Sequence, residues 1–177
     1  HKTQQEVPIT QTREDKARQE YANAIKSKCD ILIHRADLLK DKKKAKKYLE
    51  DWSADKIIEE AIKEYLKINP RYESQLPGAY STQGTILYKM ERYDEAVTAI
   101  DAAINLEPNE ALLRAIKGQA LEAKGDQAKI KNFDEAIVLY KAAIEAFDKA
   151  IELKPEDSKF SAFREAIAKK LAEIQTE

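Results

Sequence analysis

Apolar residues recur every three or four positions along most of the chain, the spacing that turns one side of an α-helix toward a core. Ala17, Tyr21, Ile25, Cys29, Leu32, Ala36 and Leu39 make the first such stripe. Thr12, with Asp15 three residues on, supplies its N-cap, and the period predicts a helix of about 28 residues. Residues 1–11, with Pro8 and two threonines, show no period and are expected to be loose. Ile57, Ile58, Ala61, Ile62, Tyr65 and Leu66 form a second stripe over 53–68, stopped by Asn69-Pro70 because proline offers no N–H and restricts the residue before it. Trp52 is expected to anchor the turn that precedes it. A third helix carries Tyr80, Gly84, Leu87, Tyr88 and Met90. A fourth opens at Arg92-Tyr93-Asp94-Glu95-Ala96, shows the stripe Ala96, Val97, Ile100, Ala103, Ile104 and Leu106, and stops at Glu107-Pro108. Small residues at Gly84, Ala96 and Ala103 allow these two to lie close as an antiparallel hairpin.

The pattern then returns. Gly118 and Leu121 lie 34 residues beyond Gly84 and Leu87, and Arg114 takes the place of Tyr80. Asn132-Phe133-Asp134-Glu135-Ala136-Ile137 follows its counterpart by 40 residues, and Leu153-Lys154-Pro155 follows Leu106-Glu107-Pro108 by 47. Thirteen residues have therefore been added, six before the turn and seven after it. That lengthens both arms of one hairpin by nearly two helical turns. Residues 132–153 read as a single helix, and 156–174 as a last one with Phe160, Phe163, Ile167, Leu171 and Ile174 inward, a polar-faced lid on the stack. The chain is expected to be all-α, with about seven helices.

Composition narrows the function. Charged residues are 36% of the 177, hydrophobic residues 43%, and no apolar run is long enough for a membrane span. The net charge of −1, with 17 basic and 14 acidic residues in 1–76 against 14 and 18 in 77–177, gives no general pull on nucleic acid. The exception is the run Lys40, Lys42, Lys43, Lys44, Lys46 and Lys47. It is read first as positive charge complementing the dipole at the end of the first helix, and second as a contact for an anionic surface. Cys29 is alone and reads as a small buried hydrophobe. His34 sits near Asp30, Asp37 and Asp41, but no second histidine or HExxH spacing accompanies it, so neither a metal site nor an acid–base pair is expected. Asp94-Glu95 and Asp134-Glu135 fall at helix starts, where their charge favours the free N–H groups. Without a nucleophile elbow, a Walker-type loop or a dinucleotide fingerprint, no catalytic activity and no cofactor are expected. The chain opens at His1, which suggests a trimmed form; its compartment, cytoplasmic or exported after loss of a leading segment, stays open.

The spacing Tyr80, Gly84, Leu87, Tyr93, Ala96, Ile100, Ala103, Leu106 and Pro108 resembles the tetratricopeptide repeat, a 34-residue pair of antiparallel helices. The resemblance is full over 77–110 and lengthened over 111–157. In 12–73 it is limited to Tyr65, Leu66, Ile68 and Pro70, a divergent helix pair. It implies one domain, a right-handed α-solenoid divided as 1–11, 12–73, 74–110, 111–155 and a capping helix 156–177. It also implies a concave wall, lined by the first helix of each pair, that receives a peptide or a partner's helix. The residues carried over to that wall are Ser81, Thr85, Tyr88 and Lys89, then Leu112, Ala115, Gln119 and Glu122. Of these, Tyr88 and Lys89 join aromatic area to a cation and are the expected principal contacts. Ser81, Thr85 and Ile116 stand where chaperone-binding members carry a Lys/Asn carboxylate clamp, which argues against that ligand. The resemblance therefore implies a non-enzymatic scaffold for a protein partner. The alternative is an assembly subunit or homo-oligomer using the long hairpin 111–153, whose Ile130, Phe133, Ile137, Leu139, Tyr140, Ile144 and Phe147 exceed what one neighbour need cover.

Overall fold

A computed structural model describes residues 11–68 and 75–176; the opening 1–11 expected to be loose, apart from Gln11, and the Asn69-Pro70 stop lie outside the described residues. Eight helices follow one another in that part of the chain: α1 Arg13–Leu38, α2 Lys42–Asp51, α3 Ala54–Tyr65, α4 Leu76–Lys89, α5 Tyr93–Leu106, α6 Ala111–Lys129, α7 Phe133–Leu153 and α8 Ser158–Gln175. α1 packs on α3, α4 on α5 and α6 on α7, while α3 against α4, α5 against α6 and α7 against α8 join the pairs in chain order. This is an all-α arrangement of the α-solenoid type.

Local chemistry starts most of these helices where the sequence places them. The Thr12 side chain accepts from the Asp15 N–H at 3.0 Å, and Asn132 accepts from Glu135 N–H at 3.2 Å. Asp94-Glu95 and Asp134-Glu135 occupy the first turns of α5 and α7, where negative charge meets unpaired N–H groups. Among the residues at helix ends, Lys40 is held at φ 52° and Glu91 at φ 62°, the left-handed conformation that disfavours any residue with a Cβ. Lys40→Gly is therefore expected to stabilise the fold by about 0.5–1 kcal/mol, read as a rise in the thermal midpoint.

One element differs from its sequence reading. The lysine run does not trail from the first helix. α1 ends at Leu38, and Asp41 accepts from the Lys44 N–H at 2.9 Å to begin a separate helix, so that the described part of 12–73 holds three helices and not a pair. Lys42, Lys43 and Lys44 thus occupy the first turn of α2, where their charge opposes the dipole they were expected to complement. α2 holds to the fold through Leu49, which is fully buried, and through the half-buried Ala45 and Tyr48. Trp52 caps its C-terminus, about half exposed, with its ring centroid 6.3 Å from that of Tyr48.

Three glycines set the helix spacing within the two later pairs. A Cβ on Gly84 would come 2.6 Å from Cγ1 of Ile100. A Cβ on Gly118 would fall 2.6 Å from the Phe147 ring, and one on Gly125 2.7 Å from the Tyr140 ring. Gly118 and Gly125 are two turns apart on α6, and Phe147 and Tyr140 are two turns apart on the antiparallel α7. The lengthened hairpin therefore carries the glycine–large-residue contact twice, the second copy in the added turns. α6 and α7 run to 19 and 21 residues where α4 and α5 have 14 each.

Tyr140 and Phe147 are almost fully buried in this contact, and Leu139 is buried beside them. That corrects the expectation that the long hairpin presents them to a partner: α6 and α8 already cover them, with Phe163 of α8 stacked on Phe147 at 5.6 Å between centroids. What the hairpin does expose is Ile130 at its tip, 81% accessible, with Phe133 and Val138. Cys29 is buried, its thiol 3.8 Å from the Ala54 carbonyl, and burial pushes its pKa up to about 12, so it lacks thiolate reactivity at neutral pH.

Candidate functional site

α4 lies beside α1 through polar contacts as much as apolar ones. Thr82 donates to Asp30 Oδ1 at 3.1 Å, Asp30 pairs with Lys26 at 2.8 Å, and the Lys89 ammonium pairs with Asp37. Small side chains on this side of α4 leave room between the helices. Thr85 folds its hydroxyl back onto the Ser81 carbonyl at 3.0 Å instead of reaching across. The result is a depression of about 290 Å³ lined by Asp30, Ile33, His34, Asp37, Ser81, Thr82 and Thr85.

A second cleft, about 280 Å³, begins at Asp37 and lies between the end of α1, the start of α2 and the α4–α5 turn. Ala36 and Ala45 give it apolar surface, Tyr88 and Tyr93 give it two aromatic walls, and Lys40, Lys42, Lys89, Asp37, Asp41 and Glu91 supply charge of both signs. The two rings sit 5.9 Å apart and tilted. Burial raises the Tyr88 hydroxyl above its ordinary pKa, and Glu122 and Asp126 reinforce that, so the phenol stays protonated as a donor.

On the far side of Tyr88 a charge cluster links α6, α7 and α8. Lys170 donates to Glu122 at 2.8 Å and to both Asp126 oxygens at 2.8–2.9 Å, and its ammonium lies 6.0 Å from the Tyr140 ring centroid. Tyr140 donates its hydroxyl to Asp126 at 2.6 Å. Desolvation works against the Lys170 charge, but the bonds to Asp126 and Glu122 outweigh it and hold the ammonium above its usual range. Burial first, and the Asp126 bond second, push the Tyr140 hydroxyl up.

The residues expected from the sequence thus divide. Ser81 and Thr85 line one depression and Tyr88 and Lys89 the other, and Glu122 belongs to the charge cluster near Tyr88. Gln119 is half-buried on α6 between them in sequence. Ala115 is 4% exposed, enclosed in the apolar cluster shared by α6, α7 and α8, so it offers no surface to a ligand. Leu112 is exposed, but in the first turn of α6 and not among the residues lining either depression.

The sequence reading missed Asp30, Ile33, His34 and Asp37 of α1, which form the opposite wall. Their spacing of three and four was visible, but with no repeat register for the N-terminal helices nothing assigned them to a wall. His34 lies exposed in the furrow, and among the described residues no group of three or more His, Cys, Asp or Glu side chains is placed to hold a metal ion. No described helix is long and apolar enough to cross a membrane.

Two segments match family models described as tetratricopeptide repeat, residues 77–110 and residues 139–157. The first is the α4–α5 hairpin with its flanking turns. The second is α7 from Leu139 onward together with the turn into α8. No curated protein matches the chain. Proteins of this family are characteristically non-catalytic scaffolds, and the fold supports a general role in protein–protein interaction. The paired helices and the small-residue contact repeated in both later pairs fit the two family matches, which place tetratricopeptide repeats at residues 77–110 and 139–157 of the chain.

Proposed function

We propose that the chain binds a peptide or a partner's helix along the α1–α4 furrow, as a scaffold with no chemistry of its own. α1–α3 form a divergent first unit in this reading, α4–α5 and α6–α7 the two repeats and α8 the cap. The observation that supports it is that Asp37 lines both depressions, with Ser81 and Thr85 in one and Tyr88 and Lys89 in the other, and this reading takes the two as one furrow. An extended segment has apolar and aromatic surface at one end, in Ala36, Ala45, Tyr88 and Tyr93, and hydroxyl and carboxylate partners at the other. Tyr88 is the contact with the most area to give, being rigid, aromatic and tipped with a protonated hydroxyl.

Selection of displayed peptides against the full chain tests this. Enriched peptides should lose binding at least tenfold against Thr85→Arg, which fills the shallower depression, and keep it against Ile130→Ser. The second reading, assembly through the long hairpin, rests on the exposed Ile130, Phe133 and Val138. It predicts the reverse pattern, and that outcome would overturn the furrow.

A further inference from the structure

We propose that the α1–α2 turn is a docking tip for an anionic phospholipid surface, which the helical stack engages peripherally. Residues 38–47 read Leu-Leu-Lys-Asp-Lys-Lys-Lys-Ala-Lys-Lys. Six lysines against one aspartate give this stretch a formal charge of +5, so the other residues together carry −6 of the chain's net −1. This turn is therefore a strongly positive patch on a chain whose other residues sum to a negative charge, and a negative surface attracts it.

Three features make the tip more than a solvated charge run. First, Leu38 and Leu39 stand 65% and 41% exposed immediately before the lysines, large apolar side chains left open to solvent at the end of a helix. A lipid interface accepts such side chains beside basic ones, whereas a phosphate backbone in water gains nothing from them.

Second, the lysines are placed against the interest of the fold. Lys42, Lys43 and Lys44 crowd the positive end of α2 while Glu50 and Asp51 sit at its negative end, the reverse of the arrangement that a helix dipole favours. Lys46 and Lys47 have carboxylate partners in Glu91 and Asp51, but none of Lys42, Lys43 and Lys44 is ion-paired among the described residues. A first turn of exposed, unpaired lysines weakens its own helix, so a gain outside the folded monomer accounts for it better.

Third, no aromatic residue interleaves these lysines to stack bases. Tyr48 is the first aromatic after them, and it is half-buried against Trp52.

Co-sedimentation of the full chain with vesicles decides the matter, using phosphatidylcholine alone and phosphatidylcholine mixed with phosphatidylserine. Binding is expected only to the mixed vesicles, weakening as salt is raised. Lys42→Glu with Lys44→Glu should lower it at least tenfold while leaving or raising the thermal midpoint, since the change corrects the dipole and places a carboxylate three residues after the Asp41 cap. Opposite movement of binding and stability separates docking from misfolding. Leu38→Ser with Leu39→Ser, which alters no charge, should also lower vesicle binding several-fold. Equal binding to both vesicles, no binding to either, indifference to the leucine changes, or tighter binding to duplex DNA than to the mixed vesicles would each overturn the proposal.

Discussion

Phe147→Ala is expected to destabilise the chain by about 3–5 kcal/mol, the usual range for emptying a fully buried aromatic site. Three elements meet at this ring. It lies flat over Gly118 on α6, it belongs to α7, and it stacks on Phe163 of α8. None of the three can close the gap alone, because α6 and α7 are also held apart by Tyr140 over Gly125 two turns away. Chemical denaturation should show the midpoint falling sharply, and the loss should be cooperative through α8. Phe163→Ala should be milder, since that ring is already 41% exposed. If both changes prove equally mild, the α6–α7–α8 contact is not the core of the C-terminal half.

Gly118→Ala carries the second large effect, from the opposite direction. A methyl group at Gly118 overlaps a rigid ring that has no exposed side to move toward, and overpacking of this sort costs about 1–3 kcal/mol. Ile100 over Gly84 is a more forgiving case, because the clashing atoms belong to a flexible aliphatic chain. The sign of the explanation can be checked with a double-mutant cycle. In a Phe147→Leu background the cost of Gly118→Ala should shrink to near that of an ordinary exposed helix position, where alanine is favoured over glycine. Gly125→Ala against Tyr140 should behave likewise, since the second pair repeats the first. Additive costs would mean that the glycine acts through backbone entropy and not through close approach.

These two contacts also show how far the sequence could be read. The hairpin α4–α5, the duplication, the thirteen added residues and the cap at Thr12 all followed from spacing, because each leaves a local signal in residue type. The pairing of Gly125 with Tyr140 left a signal too, a second seven-residue interval matched on both arms, but it becomes visible only once the arms are laid antiparallel. α2 was hidden for a different reason. It buries a single leucine fully, its stripe of Ala45, Tyr48, Leu49 and Trp52 is short, and its first turn carries charge of the wrong sign, so the lysines read as the tail of the helix before them. Asp41, three residues before Lys44, marked the new start.

Of the residues that repeat register assigned to a wall, the four of α4 line the two depressions and none of the four of α6 does. Repeat register placed Ala115 on the wall, and local periodicity had no means of showing that the α6–α7–α8 cluster encloses it. On the other side of the furrow the register failed altogether, and Asp30, Ile33, His34 and Asp37 emerge only from the packing of α1 on α4. Sequence repeats recover the shape of a unit and the face it turns outward; what covers that face depends on contacts between units that share no pattern.

The central claim is that the α1–α4 furrow is the binding surface, and an amide chemical-shift map of the full chain with a selected peptide tests it most directly. The furrow predicts shifts clustered at 30–37 of α1 and 81–89 of α4, extending to Glu122 and Asp126 across Tyr88. Shifts confined to 129–138, with 30–37 and 81–89 unchanged, would contradict it and move the binding surface to the tip of the long hairpin.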